Sequence, residues 1–547
     1  MICGLAHFDI SECIEGLKDM QMLLRETGWS PASHLKGYRR KLHQRQPIAP
    51  FQHLEEVMVR DVTKASLQDW NSLLAFPQRV TFQDLDCLEE ATVEEAMVHF
   101  EKSGSYDHAC VAEMSTILRE WLKDLDETKF WPTVSNGATT TVKRKDPLAY
   151  KLCEIGDFSG VQLLGDIHQS YDAEFQCVPK SATKKRGITK CDTNIVYYTL
   201  GVFNMIDYLF STKLRQHVDL HNTELSTSKI RGVNSMYYGT LDLSSASDMF
   251  HYCLMRDLFA ESVLVPYIVN FHVDNVKFKD VIIRSVMHAP MGAGTCFPVM
   301  TLVLCAACEL ACRRTGCSPS YVVYGDDIVI GSTAYYELRD VILPSLGLIV
   351  NHSKSYPPEH AFKEACGEET WNGISIKPLR VPRRLDAESM LKKETRSLEC
   401  LLDMYDSAYE FGYSTVCEFL EHTVHNLWNT DVPFITPAGH LLYQSRPKAR
   451  WNEKLQRHEF RVACVSTQRE GWSSDRVASK EKRALQQRLQ SARVTEQDLL
   501  YRYTLYSIAR RVGAPDQPFD GWLLWSTSRI RRKWVPTPEE LESWILV

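Results

Sequence analysis

Apolar residues recur at three- and four-residue intervals over Ile10–Thr27, Val93–Glu101, Asp192–Lys213, Met249–Val263 and Val299–Cys312, a period that predicts helices. Tyr171–Lys190 is extended and basic in pattern, and Tyr267–Val286 has the form of a hairpin with Asp274-Asn275 as its turn. Pro47–Pro50 and Ser135-Asn136-Gly137 are breaks. Beyond Arg384 the helical period returns over Arg396–Tyr413, Val416–Trp428, Lys480–Ala492 and Glu496–Val512. There is no internal repeat and no low-complexity tract.

Two short apolar runs, Tyr321-Val322-Val323 and Ile328-Val329-Ile330, enclose Tyr324-Gly325-Asp326-Asp327. β-Branched runs flanking a glycine predict a tight hairpin with both acids at its tip. Adjacent carboxylates repel and resist desolvation, so this tip calls for a cation. A hard divalent ion such as Mg²⁺ takes oxygen ligands and keeps waters for substrate phosphates. Upstream, Tyr237–Leu243 reads as a strand ending in Asp242, followed by the small-residue turn Leu243-Ser244-Ser245-Ala246-Ser247-Asp248. An acid at that strand end can lie beside the hairpin tip, and three carboxylates there suit two-metal phosphoryl transfer. Asp248 reads either as a helix N-cap or as a polar contact to a nucleotide's sugar.

Between the acids lies Met291-Gly292-Ala293-Gly294-Thr295-Cys296-Phe297-Pro298, a glycine loop entering the apolar helix. Such a loop lets backbone approach a sugar-phosphate chain closely. The order of acid strand, glycine loop with helix, and GDD hairpin resembles motifs A, B and C of viral RNA-dependent RNA polymerases. Further on, Phe362-Lys363-Glu364-Ala365-Cys366-Gly367-Glu368 and Trp371-Asn372-Gly373-Ile374-Ser375-Ile376-Lys377-Pro378 resemble the post-palm segment of levivirus-type replicases, the polymerases of single-stranded RNA phages. Asn351-His352-Ser353-Lys354 is similar to their motif D, and Cys177-Val178-Pro179-Lys180 with Lys184-Lys185-Arg186-Gly187-Ile188-Thr189-Lys190 to their basic fingers motif. The resemblance covers about Phe175 to Arg384. Narnavirus and ourmiavirus polymerases share the same palm. Cys191-Asp192 stands where the phage motif usually has an acid and a proline, and Met300 rather than a polar residue stands just before Thr301. The loop's contact to ribose is therefore left open.

This resemblance implies an α+β right-hand polymerase with fingers, a palm built on a small antiparallel sheet, and a largely helical thumb. The expected divisions are 1–235 for N-terminal region and fingers, 236–384 for palm with a fingers insertion at about 264–290, and 385–547 for thumb and C-terminal region. It implies primer-independent, RNA-templated synthesis replicating a positive-strand viral genome. Asp242, Asp326 and Asp327 would be the metal ligands for two Mg²⁺ ions, with Mn²⁺ as a substitute, and Lys354 would assist pyrophosphate departure. Lys180, Lys184, Lys185, Arg186 and Lys190 would face the triphosphate, and Asp248, Gly292, Gly294 and Thr295 the nucleotide. The bland alternative for the lysines is a solvated basic loop. Template RNA and NTPs are the implied partners, with host elongation factors Tu and Ts and a ribosomal protein by resemblance alone. Two other classes compete: a reverse transcriptase, and a catalytically silent RNA-binding protein that keeps the palm as scaffold.

Composition narrows this picture only slightly. At 547 residues, 44% hydrophobic and 10% aromatic, the chain is globular and long enough for two or three subdomains. A net charge of −6 is unexpected for an RNA binder, so charge placement matters more. From Gln444 to Arg511 there are sixteen Lys and Arg against seven Asp and Glu, interleaved with Trp451, Phe460, Trp472, Tyr501, Tyr503 and Tyr506. That mixture suits RNA backbone and bases, and offers rings on which a first nucleotide could stack. The seventeen cysteines lack a secreted-domain spacing, and the N-terminus lacks signal-peptide features, which together predict reduced thiols in a host-cell cytoplasm. Cys305, Cys308, Cys312 and Cys317 mimic a metal pattern but sit on an apolar helix without histidine, so they read as buried thiols. The run Val299–Cys308 is about half a membrane span, and no transmembrane segment is expected.

Overall fold

The computed structural model describes residues 68, 71–72, 92–101, 104–123, 125–135, 137–143, 146, 148–155, 172–179, 185–380, 390–430, 432–442, 449–470, 475–495, 497–502 and 525–536. The predicted helix Ile10–Thr27, the Pro47–Pro50 break, Lys180, Lys184, Trp472, Tyr503 and Tyr506 lie outside them.

Helix α1 (Val93–Glu101) begins in a capping box: the Thr92 hydroxyl accepts from Glu95 N–H at 3.1 Å while the Glu95 carboxylate accepts from Thr92 N–H at 2.8 Å. Helix α2 (His108–Leu122) follows. The extended basic stretch forms a hairpin of β1 (Asp172–Pro179) and β2 (Lys185–Lys190), with Phe175 opposite Thr189. Asp192 caps α3 (Thr193–Thr212) by accepting from Asn194 N–H at 2.8 Å.

Strand β3 (Tyr238–Leu241) leads to the short helices α4 (Ala246–Met249) and α5 (Tyr252–Leu258). The single helix expected over Met249–Val263 is broken at Phe250-His251. There the main chain pairs with a neighbouring segment instead: Tyr252 N–H donates to Val286 O at 2.8 Å and His288 N–H to Phe250 O at 2.9 Å. The expected hairpin forms as β4 (Asn275–Phe278) and β5 (Val281–Arg284), but its turn is Lys279-Asp280. Asp274 and Asn275 cannot turn because both pair across, Asp274 O with Ser285 N–H and Asn275 with Arg284. Strand β4 also lies parallel to β1, so one four-stranded sheet in the order β2-β1-β4-β5 joins residues 172–190 to 275–284.

Helix α6 (Cys296–Thr315) is the centre of the core, with every residue from Leu302 to Cys308 fully buried. It is the one described helix long and apolar enough to cross a membrane, exceeding the shorter run expected, and it is mostly covered by protein. Strands β6 (Tyr321–Tyr324) and β7 (Asp327–Gly331) make the predicted hairpin, and β7 lies between β6 and β3 in an antiparallel three-stranded sheet. Tyr321, Val323, Ile328 and Ile330 join the core around α6, while Val329 packs on Ile230 and Ala365 beyond the other face. Both faces are covered, which is why these strands are apolar throughout rather than alternating.

Strands β8 (Phe362–Ala365) and β9 (Glu368–Trp371) form the next hairpin. Helices α7 (Thr395–Glu410) and α8 (Ser414–Trp428) lie where the spacing places them. They share the C-terminal region with a five-stranded sheet that the periodicity did not signal. It comprises β10 (Phe434–Ile435), β11 (Leu441–Leu442), β12 (Ala449–Asn452) and β13 (Arg457–Glu470), and, after helix α9 (Asp475–Ala492), β14 (Trp525–Pro536).

Candidate active site

Backbone register brings the predicted acids together. Leu241 pairs with Ile328 and Tyr324 with Asp327, so the next rung sets Asp242 opposite Asp327 at the end of the sheet that bears the Gly325-Asp326 turn. Gly325 has φ +64°, and a Cβ there would come within 2.4 Å of Phe297 Cε2. Its N–H donates to Thr301 Oγ1 at 3.2 Å, and that hydroxyl donates to Phe297 O at 2.8 Å. The tip is thereby pinned to the first two turns of α6.

Asp242 is gripped by the Asn351–Ser355 segment. Asn351 Nδ2 donates to Asp242 Oδ2 at 2.9 Å, the Asn351 and Asp242 main chains bond at 2.9 Å, and Asp242 N–H donates to Ser355 Oγ at 3.1 Å. Lys354 Nζ stands 3.9 Å from Asp242 Oδ2. Burial raises the Asp242 carboxyl above its ordinary range, Lys354 opposes that, and Asp326 adds to it. Asp327 is pushed up to about 7, first by burial and then by the fields of Asp326, Asp242 and Glu364. Cys366 N–H, at the β8–β9 turn, bonds the Asp327 carboxylate and acts the other way. Glu364 is thus a fourth acid at the site, felt by both Asp242 and Asp327. No motif spacing marks Glu364 in the sequence, and only its closeness in space singles it out.

Asp248 is the third residue of α4, and Ser245 occupies the N-cap with φ +51°. The helix-cap reading of Asp248 therefore fails. Its carboxylate accepts from Ser247 Oγ at 3.0 Å and faces His99 Nδ1 at 3.7 Å. Burial raises its pKa, against the fields of His99 and Arg186. The Cys296 thiol is pushed up to about 12 by burial and by the fields of both Asp248 and Asp326, which puts it electrostatically between the two acids.

The remaining predicted residues divide. Arg186 is exposed on β2 and its charge reaches Asp248. Lys190 pairs with Glu174 across β1 and β2 at 3.5 Å. Lys185 pairs through its main chain with Pro179. The two glycines are required by protein packing: a Cβ on Gly292 would meet Thr189 O at 1.8 Å, and one on Gly294 would meet Leu200 N at 2.9 Å. Thr295 is 1% exposed and its hydroxyl has no hydrogen-bond partner. The loop thus packs on β2 and α3 where it enters α6, with Thr295 buried, Gly294 half-buried and Gly292 exposed.

Among the described residues no three Asp, Glu, His or Cys side chains close a cage that could hold a metal ion by themselves. The donor set nevertheless fits a hard divalent cation. Such an ion is usually held by one or two carboxylates plus waters and substrate phosphates, and the mutual repulsion that lifts Asp327 is what a cation relieves.

Comparison with known proteins agrees. A family model described as "RNA replicase, beta-chain" matches residues 63–394. The RNA-directed RNA polymerase subunit beta of Qbeta virus (strain MX1) is 27% identical over 223 residues, 39% of this chain and 36% of that protein. The corresponding subunit of Enterobacteria phage SP is 26% identical over 270 residues, 46% of this chain and 40% of that protein. The RNA-directed RNA polymerase beta chain of Escherichia phage MS2 is 27% identical over 155 residues, 27% of this chain and 26% of that protein. The matched stretches thus span well under two thirds of these relatives. Among solved structures, the RNA-dependent RNA polymerase of a human picobirnavirus gives a TM-score of 0.42 at 13% identity, covering 74% of this chain and 83% of that one. That score is too low to argue from.

Proposed function

The chain belongs to the RNA replicase beta-chain family, and from that premise we propose that it is an RNA-directed RNA polymerase replicating a positive-strand viral genome. The observation that carries this reading is the meeting of Asp242, Asp326 and Asp327 at one sheet end, with Asn351 and Lys354 on Asp242. Asp242, Asp326 and Asp327 would hold two divalent cations, Mg²⁺ with Mn²⁺ as a substitute, which when bound activate the 3′-hydroxyl and neutralise charge on the triphosphate. Asn351 and the Ser355 hydroxyl keep the Asp242 carboxylate aimed at the hairpin tip. Lys354 supplies a proton and a positive charge on the side where pyrophosphate leaves. Arg186 and Lys190 on the β1–β2 hairpin, with Lys180, Lys184 and Lys185 beside them in sequence, meet the incoming phosphates. Asp248 accepts a hydrogen bond from the ribose 2′-hydroxyl, which selects NTP over dNTP.

Primer-independent initiation belongs to this reading. Its support is Trp451, exposed on β12 beside His458, as a ring able to stack the first nucleotide. Work in the host cytoplasm, with elongation factors Tu and Ts and a ribosomal protein as partners, follows from the family resemblance and is tested by co-purification from the native host. The activity is tested with homopolymeric RNA templates. The full chain should incorporate only the complementary NTP, and Asp326→Asn, which removes a charge but little volume, should abolish incorporation while keeping a normal melting curve. Incorporation independent of template sequence, preference for dNTP, or full activity of Asp326→Asn would overturn the proposal.

A further inference from the structure

The carboxylate proposed to read the ribose is framed from outside the palm. Asp248 leaves 23% of its side chain exposed, and its Oδ1 is taken by the Ser247 hydroxyl at 3.0 Å. Its other oxygen, Oδ2, faces His99 Nδ1 at 3.7 Å. His99 lies in the last turn of α1, ahead in the chain of the basic, acid, glycine-loop and hairpin motifs. Its ring is held against Phe100 and Phe175, with centroids at 4.8 and 5.6 Å. Phe100 and Phe175 sit edge-to-face in the core beneath the four-stranded sheet, and Phe100 O accepts from Val286 N–H at 2.9 Å. The imidazole is thus fixed by packing, so the carboxylate beside it meets a placed partner rather than a mobile one. The glycine loop offers less: Cys296 is a half-buried thiol, and Thr295 is buried with its hydroxyl unpaired.

We infer that His99 is a positioning residue for ribonucleotide selection, holding the Asp248 carboxylate in the orientation that meets the 2′-hydroxyl. This inference rests on the reading of Asp248 as the ribose contact. A carboxylate steadied on two sides, by Ser247 and by His99, presents its remaining lone pairs in one direction. A 2′-hydroxyl donates along it, and a deoxyribose leaves it unmatched. Without His99 the Asp248 carboxylate can rotate, and the gain from the 2′-hydroxyl shrinks while the metal acids are untouched.

The test is single-nucleotide incorporation by the full chain on an RNA template and primer, with kcat/KM measured separately for an NTP and its dNTP. Asp248→Ala should lower the NTP-to-dNTP ratio by roughly tenfold or more, as loss of a matched hydroxyl contact does. His99→Ala should lower the ratio in the same direction by several-fold, through the NTP value. His99→Gln, which keeps an N–H near Asp248, should restore most of it, and His99→Ala should add nothing once Asp248 is already Ala. If Asp248→Ala lowers the ratio but His99→Ala leaves it unchanged, or lowers NTP and dNTP equally, the inference about His99 is wrong and the ribose contact stands. If Asp248→Ala leaves the ratio unchanged, the ribose reading fails and the inference with it.

Discussion

Replacing Asp327 by asparagine should stabilise the metal-free protein, and the size of the effect follows from the crowding of acids at the hairpin tip. Burial, Asp326, Asp242 and Glu364 together lift the Asp327 carboxyl from 3.8 to about 7. At about 1.36 kcal/mol per pH unit, that rise corresponds to on the order of 4 kcal/mol. The sign follows from linkage. Relative to the unfolded chain, the folded state favours protonated Asp327, so this stability is fully present below pH 3.8 and is lost as pH rises through about 7. Asparagine keeps an acceptor for Cys366 N–H and carries no charge, so the variant should not show that loss. Thermal melts in EDTA should give equal Tm values for wild type and Asp327→Asn near pH 4. Their gap should widen to a maximum above pH 7, at about 2–4 °C per kcal/mol for a cooperative unit of 150–250 residues. Added Mg²⁺ should raise the wild-type Tm and close the gap, because a cation bound to the folded state offsets the repulsion. A gap that is absent at pH 8, or equal at pH 4 and pH 8, would refute the reasoning.

Three further outcomes are expected. Gly325→Ala forces a residue with a Cβ into φ +64° against Phe297 and should cost roughly 1–2 kcal/mol in backbone strain alone, with a lower Tm and at least tenfold slower incorporation as the acids shift. Lys354→Ala should lower kcat far more than it raises KM, and should move the acid limb of the pH–rate profile upward, because the cation that depresses the Asp242 pKa is gone. Trp451→Ala should slow primer-free synthesis by roughly five- to a hundredfold, from a lost stack of about 1–3 kcal/mol, and leave primed synthesis unchanged. Equal loss of both reactions would make Trp451 part of the fold.

The palm was legible because its signals are local. Adjacent acids between β-branched runs are poor core material, and Asp242, Gly292, Gly294 and Asp326 stand in the chain order of acid strand, glycine loop and hairpin. What escaped depends on distant pairing. The helix expected through Phe250-His251 yields to main-chain bonds with Val286 and His288, which no residue near position 250 announces. Asp274-Asn275 looked like a turn because both favour turns, yet strand pairing with Ser285, Arg284 and Asp172 overrides that preference. Strand β14 alternates Arg529, Arg531 and Lys533 with Ile530, Arg532 and Trp534, so it has no apolar face to detect, and its partner β13 is far away in sequence. Gly292 and Gly294 stand out in the sequence, but their packing against Thr189 and Leu200 depends on β2 and α3 and has no local signal. His99 meets Asp248 only because α1 packs beside the β4–β5 hairpin, a contact invisible to motif spacing.

RNA synthesis is proposed to depend on cations held by Asp242, Asp326 and Asp327. The most direct measurement is a structure of the full chain with template, primer and a non-reactive NTP analogue in Mn²⁺, with the ions located by anomalous scattering. Manganese peaks should be ligated by Asp242 and Asp326 and touch the triphosphate, and should be missing in the Asp326→Asn variant. Manganese bound elsewhere while the analogue is base-paired to the template would contradict this proposal.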